Sequence, residues 1–366
     1  MAAPAPGPRA RDLGIVVGGL PAGPANAITD VPGVRVGHTT LISGEGPLVV
    51  GAGPVRTGVT VVVPGADDPW DEPCFAGCHR LNGNGELTGL EWVRESGLLT
   101  TCIGLTNTHS VGVVRDALIA AAARTLPPGE TRWYLPVVGE TYDGDLNDIN
   151  GMHVRAEHVH AALESAAGGA VAEGGVGSGT GMICHGFKGG IGTASRIVDG
   201  HTVGVLVQAN HGRRERLRVN GIPVGERLGA GVVPLPELGG GPGGSIIVVV
   251  ATDARLLPGQ CDRLAQRAAL GIGRTGGAGE HASGDLILAF ATGNRGLRPL
   301  ADHGVVGAAP VALAALPADR MDSLFDAVID STEEAIVNAL VAGRTMTGRD
   351  GNTVQGVGGE RLAAAL

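Results

Sequence analysis

Residues 245–254 read SIIVVVATDA, apolar at every position from Ile246 to Ala251. A strand wetted on one face alternates apolar and polar residues with period two; a strand covered on both faces does not alternate. The same continuous character marks Val59–Val63, Thr202–Gln208 and Leu286–Ala291, and further strand-like runs occupy Leu98–Leu105 and Trp133–Val138, all bounded by Gly, Pro or Asn. Sheets built from such strands need cover on both sides. Helical spacing supplies candidates for that cover at Ser110–Leu126 (Val111, Val114, Leu118, Ala121), Val154–Ala167 and Asp262–Leu270. Two more helices are expected at Asp322–Asp330 and Ser331–Val341, the second opened by Ser331 and Glu334 at capping-box spacing. Strands and helices mix without a regular βαβ alternation, so the expected class is α/β or α+β with sheets sandwiched between helix layers, and not a Rossmann fold.

The chain of 366 residues is 43% hydrophobic and 17% charged, which excludes disorder for most of it. With four Phe, three Trp and two Tyr, the core must be packed from Val, Leu, Ile and Ala. A net charge of -9 leaves no electrostatic footprint for nucleic acid or anionic lipid. The five cysteines, Cys74, Cys78, Cys102, Cys184 and Cys261, are an odd and scattered set, which argues for a reducing compartment over a disulfide framework. Residues 1–12 read as a disordered tail without the apolar run of a signal peptide, and no stretch is long enough to span a bilayer. The expected location is cytoplasmic.

One junction is sharper than any other. Val232–Gly244 (VVPLPELGGGPGG) is an extended, Gly- and Pro-rich connector that turns at once into the buried strand beginning at Ser245. A serine hydroxyl needs a base, and no Gly-x-Ser-x-Gly elbow leading from a strand into a helix supplies one here. If the Gly244–Ser245 bond were cut, Ser245 would acquire its own α-amine, a group that titrates near 7.7–8.0, against about 10.4 for lysine, so that a substantial fraction is an unprotonated base near neutrality. Gly243 and Gly244 would tolerate the distorted backbone such a cut requires. The plain alternative is a linker that ends in Ser.

Other polar clusters carry similar double readings. Ser283 and Asp285 stand two residues apart at the head of a strand-like run, so both side chains point to one side; a turn before a strand has the same composition. Asn210 ends a strand, where its amide can donate to an oxyanion or merely close a turn. Glu140 and Tyr142 lie in the glycine-punctuated segment GETYDG, suited to pairing a substrate amine and equally to a surface loop. Gly174–Thr193 is dense in glycine around Lys188, the only lysine, but has no Gly-Lys-Ser/Thr, and Gly271-x-Gly273-x-x-Gly276 follows a helix; neither is a nucleotide fingerprint. His153, Glu157, His158 and His160 fall mainly on a solvated helix face, and Cys74/Cys78 lack a second pair at zinc spacing. No metal or cofactor is therefore expected.

The order of these segments resembles one family. ITDVPGVRVGHTTL (Ile28–Leu41), TGVTVVVPG, GNGELTGLEWV, GLTNTHSVG, ETYDGDLNDING, GGVGSGTGMICHGFKGGIGTASR, VQANHG, SIIVVVATDARLLPGQ, SGDLILAF and TMTGRDGNTV (Thr345–Val354) are similar to the DmpA/BapA group of self-processing aminopeptidases, peptidase family P1, in the DmpA/ornithine-acetyltransferase-like superfamily. The resemblance implies an αββα sandwich of the N-terminal-nucleophile type. It implies one hydrolase domain, 13–366, that cleaves itself between Gly244 and Ser245 into an α chain (1–244) and a β chain (245–366) that stay associated.

By the same resemblance Ser245 is the nucleophile, with Ser283 and Asp285 managing its proton. Asn210 is the oxyanion-hole asparagine, Tyr142 the active-site tyrosine, and Glu140 the carboxylate that holds a substrate's α-ammonium. The implied substrates are small peptides or aminoacyl amides and esters, and the implied assembly is a tetramer of α/β pairs. Some β-peptide-cleaving members carry Glu where Asp285 stands, which favours the aminopeptidase/amidase branch. Three other readings remain: a hydrolase of the same fold for β- or ω-amino-acid amides such as nylon oligomers, an acyltransferase, for which Thr would be the usual nucleophile, and a glycine-rich binding protein.

Overall fold

The computed structural model describes residues 7–238, 244–297 and 310–366. In chain order the strands are β1 (Val34–Ser43), β2 (Val55–Pro64), β3 (Cys74–Gly83), β4 (Leu98–Leu99), β5 (Ile103–Asn107), β6 (Val137–Thr141), β7 (Ile183–Cys184), β8 (Phe187–Lys188), β9 (Gly190–Val198), β10 (His201–Asn210), β11 (Ser245–Thr252), β12 (Gly284–Ala291), β13 (Met346–Thr347) and β14 (Thr353–Val354). The helices are α1 (Leu90–Ser96), α2 (Val111–Ala123), α3 (Ala156–Glu164), α4 (Val224–Arg227), α5 (Pro258–Arg274), α6 (Met321–Ala342) and α7 (Gly359–Ala364). One sheet has the order β1-β2-β5-β6 and the other β4-β3-β12-β11-β10-β9. The pairs β5/β6 and β11/β12 are parallel, and the other neighbours in these two sheets are antiparallel.

Three apolar layers explain the unbroken hydrophobic runs. On β11, Ile247, Val249 and Ala251 face the four-stranded sheet, packing with Val36, Val62, Leu105 and Val137. The alternate residues Ile246, Val248 and Val250 face outward onto α5 and α6, against Leu264, Ile272, Val328 and Ile336. Val59, Val61 and Val63 of β2 face outward onto α2 and α3, against Val114, Leu118 and Val159. The architecture is the expected αββα sandwich, and both faces of the central strands are dry. Part of the glycine content serves close approach: a Cβ at Gly192 would lie 1.9 Å from the Ala335 carbonyl oxygen of α6, and one at Gly37 1.9 Å from that of Ala162 in α3. Backbone-to-backbone packing of helix on strand is possible there only without a side chain.

Several expectations need correction. The run Leu98–Leu105 is two strands in different sheets, because Leu98 and Leu99 pair with β3 while Ile103–Leu105 pair with β2. The strand expected at Trp133–Val138 begins at Val137, since Trp133 and Tyr134 are drawn into edge-to-face contacts with Trp70 at 5.1 and 5.3 Å. The two C-terminal helices are one, α6, for no Gly or Pro separates them. Ser331 is therefore buried in mid-helix and caps nothing. Residues 7–12 of the expected tail are tied down: Arg9 pairs with Glu173 at 2.7 Å and Arg11 with Glu334 at 2.8 Å. Residues 1–6 lie outside the described residues, as do residues 239–243 of the connector. No helix among the described residues is long and apolar enough to cross a membrane.

Glu334 was expected to cap a helix and instead anchors a buried charge cluster. Its Oε2 lies 2.6 Å from Arg196 Nη2, with both side chains fully buried, while Oε1 accepts hydrogen bonds from Asn26 and Arg11. Removing one partner of such a pair leaves the other charge desolvated, at a cost of about 3–5 kcal/mol. Glu334→Gln is expected to lower unfolding stability by that amount in urea titration; a loss below about 1 kcal/mol would mean that Arg196 finds another counter-charge.

Candidate active site

The polar residues singled out from the sequence gather at one end of the two facing sheets. Ser245 is the first residue of β11; it pairs with Asn210, the last residue of β10, on one side and with Gly284, the first of β12, on the other. Glu140 is next to last in β6 of the opposite sheet. The sheets are tied together beneath this end by Gln208, whose Nε2 donates to the Thr106 carbonyl at 2.9 Å and to Thr141 Oγ1 at 2.6 Å. A β-sheet can hold such an arrangement rigidly because each side chain is fixed by strand register rather than by a loop.

Ser245 is buried, and its Oγ accepts a hydrogen bond from the Gly284 N–H at 3.0 Å. A donor aimed at that oxygen favours the alkoxide over the neutral hydroxyl. Ser283 Oγ donates to Asp285 Oδ1 at 2.5 Å. Burial, with help from nearby Glu280, pushes the Asp285 carboxyl up to about 6. The side-chain amide of Asn82 donates to the carbonyl oxygens of Ser283 and, at 2.9 Å, Glu280, pinning the turn that precedes β12.

Asn210 is held at both ends of its amide. Its Oδ1 accepts from the Ile183 N–H at 2.6 Å and its Nδ2 donates to the Tyr142 carbonyl at 3.0 Å. An amide nitrogen carries two hydrogens, so a second donor remains on Asn210, the residue registered opposite Ser245. Gly244 itself approaches closely: a Cβ there would lie 2.7 Å from the Asn210 carbonyl oxygen and 2.9 Å from His211 Cα. Close approach thus requires glycine at 244, in addition to the tolerance of a distorted backbone expected of it. Gly243, expected to share that role, lies outside the described residues.

Glu140 is 3% exposed, with Oε1 accepting from the Glu86 N–H at 2.9 Å and Oε2 from Thr108 Oγ1. Burial raises its pKa, and no cation is paired with it among the described residues. Gly85 stands between it and Gly284: a Cβ there would lie 3.1 Å from Glu140 Oε1 and 3.0 Å from Gly284 Cα. Tyr142 is brought in by its backbone, whereas the residue is 46% exposed and its phenol folds over Gly144. Thr108, Gly85, Glu86, Asn82 and Ile183 were not singled out from the sequence. All but Asn82, which immediately precedes one, fall inside segments that carried the resemblance, but they act through backbone N–H groups, a hydroxyl and an amide that read as ordinary turn chemistry.

The other polar clusters stay apart from this site. His153 Nε2 pairs with Asp148 Oδ2 at 2.9 Å, and His158 and His160 lie on the partly exposed face of α3. Lys188 is fully buried, its ammonium donating to the carbonyls of Gly179, Met182 and Gly189 at 2.9–3.1 Å. Those bonds stiffen the glycine-rich segment from which Ile183 holds Asn210.

The model of "Peptidase family S58" matches residues 26–354. The chain is 50% identical to the beta-peptidyl aminopeptidase BapA of Sphingosinicella microcystinivorans, over all of this chain and 93% of that protein. Among solved structures, a Burkholderia beta-aminopeptidase superposes with a TM-score of 0.91 at 57% identity, covering 98% of each chain. The L-aminopeptidase D-Ala-esterase/amidase of Ochrobactrum anthropi, described as a variant of the Ntn-hydrolase fold, superposes with a TM-score of 0.87 at 43% identity, again over 98% of each chain.

Proposed function

The chain belongs to peptidase family S58, the DmpA/BapA type of serine aminopeptidase, and on that premise we propose how its site acts and on what. Ser245 is the nucleophile of two successive reactions. In the first, its Oγ attacks the carbonyl carbon of Gly244, the peptide nitrogen leaves as the α-amine of Ser245, and water hydrolyses the resulting ester to release the Gly244 carboxylate. The products are an α chain, 1–244, and a β chain, 245–366. They stay associated because β11 of the β chain is hydrogen-bonded along its length to β10 of the α chain. The assembly into a tetramer of such pairs belongs to the same proposal and is carried by the family resemblance.

In the second reaction Ser245 attacks the carbonyl of a bound substrate. Asn210 Nδ2 and the Gly284 N–H stabilise developing negative charge, Ser283 with Asp285 and the new α-amine relay the proton, and water releases the acyl group. Glu140 anchors the free ammonium of the substrate, and Tyr142 is the active-site tyrosine of the family pattern. The observation that carries this reading is the register that sets Ser245 between Asn210 and Gly284, with Ser283 and Asp285 flanking the latter.

The substrates we propose are short peptides, amides and esters with a free N-terminal amine, including those that begin with a β-amino acid. Similarity to proteins named as beta-peptidyl and beta-aminopeptidases supports the β-aminoacyl class. Asp285, which stands where some β-peptide-cleaving members carry Glu, supports α-aminoacyl substrates as well. N-terminal sequencing of the purified protein with a p-nitroanilide panel of L-, D- and β-aminoacyl compounds tests both parts. A start at Ser245 and turnover of β-aminoacyl anilides are expected; turnover confined to N-blocked compounds would overturn the assignment.

The raised Asp285 carboxyl gives a pH prediction for the uncut chain. Above about 6 Asp285 is an anion and can draw a proton through Ser283; below it the carboxyl is neutral and cannot. Self-cleavage of freshly synthesised chain is expected to slow as pH falls through about 6, approaching tenfold per unit below that point. Asp285→Asn should slow cleavage and flatten the profile. An unchanged acidic limb in that variant would assign the limb to another group.

A further inference from the structure

A buried cluster directly behind Asn210 has no part in the reactions above. Cys184 ends β7, His185 follows it, and His211 follows Asn210; the sulfur and one ring nitrogen from each histidine lie within 4.8 Å of one another, and all three residues are buried. His185 Nδ1 faces the Arg213 carbonyl at 3.1 Å. A carbonyl only accepts, so Nδ1 carries the hydrogen and Nε2 carries the lone pair, and Nε2 has no partner. His211 Nδ1 is 3.8 Å from Cys184 Sγ, and His211 Nε2 is also without a partner. An unsatisfied buried polar atom costs about 1–3 kcal/mol, and the lone pair of His185 Nε2 is such an atom within this cluster.

The surrounding backbone keeps the two imidazoles in place. His185 holds a left-handed φ of 50°, fixed by its N–H donating to the His211 carbonyl at 2.7 Å. A Cβ at Gly212 would lie 2.3 Å from the His185 ring, and one at Gly277 3.0 Å from the His211 ring. The His185 Nδ1–H to carbonyl contact is the outer bond that metal-ligating histidines make to fix ring and tautomer.

We propose that Cys184, His185 and His211 form a binding site for a soft monovalent transition-metal ion, Cu(I), in a three-coordinate arrangement of two nitrogens and one thiolate. Bond lengths of about 2.0 Å to nitrogen and 2.3 Å to sulfur put these ligand atoms about 3.7 Å apart. The Cys184–His211 pair already meets that spacing, and the remaining vertex closes by about 1 Å. Charge selects the ion. One thiolate neutralises a monovalent cation, whereas a divalent one would leave net positive charge in a dry pocket beside Arg214, whose Nε donates to the His185 carbonyl at 2.9 Å. A closed zinc site also wants four protein ligands, and three are present among the described residues. Imidazole and thiolate both suit copper.

Such an ion would join the two segments that hold Asn210, since Ile183 precedes Cys184 and Asn210 precedes His211. The test uses full-length protein carrying Cys78→Ser and Cys102→Ser, which removes the two thiols that are not fully buried. Anaerobic titration with Cu(I) against a chromogenic Cu(I) chelator is expected to show one ion withheld per chain, with a higher melting temperature on loading. Cys184→Ser and, independently, His185→Gln should each weaken retention by on the order of a hundredfold. Failure of the parent to compete with the chelator, or equal retention by parent and His185→Gln, would overturn the site. Tighter retention of Zn(II) than of Cu(I) would overturn the choice of ion.

Discussion

Ser245→Ala is expected to give a single uncut polypeptide with no measurable aminopeptidase activity. Self-cleavage and turnover share one oxygen atom, so its removal abolishes both at once, and loss of a nucleophile of this kind costs on the order of 10⁵- to 10⁶-fold in kcat. The variant should fold, because the Ser245 hydroxyl closes no core contact and accepts only the Gly284 N–H. One band on a denaturing gel, with an unchanged circular dichroism spectrum, is the predicted result. Two bands would show that the chain is cut by another agent and would remove Ser245 from the first reaction.

Glu140→Gln is expected to separate the two reactions that Ser245→Ala abolishes together. The glutamine amide keeps an oxygen for the Glu86 N–H and keeps the volume, while the charge is lost. A buried carboxylate whose pKa is raised by desolvation lacks its cation, and an arriving α-ammonium supplies it. Breaking such a pair costs about 2–5 kcal/mol, or roughly 30- to 5,000-fold in kcat/KM for substrates with a free amine. Self-cleavage involves no ammonium and should proceed at its normal rate. N-acylated esters should lose far less. Equal losses for capped and free substrates, or an uncut chain, would take Glu140 out of amine recognition.

Some of this was legible in the residues themselves. The unbroken run Ile246–Ala251 requires cover on both faces, and the structure supplies it with an opposing sheet on one side and α5 and α6 on the other. The Gly-rich connector running into a strand that begins with Ser245 singled that serine out as the candidate nucleophile. Other features were hidden because their signals are not periodic. Thr100–Cys102, where the chain crosses between the sheets, looks like the middle of one strand, since apolar character does not say which partner a strand takes. Ser331 and Glu334 match a capping box by spacing alone, and only the buried Arg196 reveals that Glu334 is a counter-charge within a continuous helix.

Chain order and residue type alone determined the layering of the sandwich, the family resemblance and the candidate set Glu140, Tyr142, Asn210, Ser245, Ser283 and Asp285. These follow from local patterns that any reader of the chain can count. Tertiary structure alone decided that Gly85 separates Glu140 from Gly284, that Ile183 orients the Asn210 amide, and that Cys184 and His185 meet His211. Strand register sets those meetings across large sequence separations. Register is fixed by the packing of both sheets together, a property that no single segment carries.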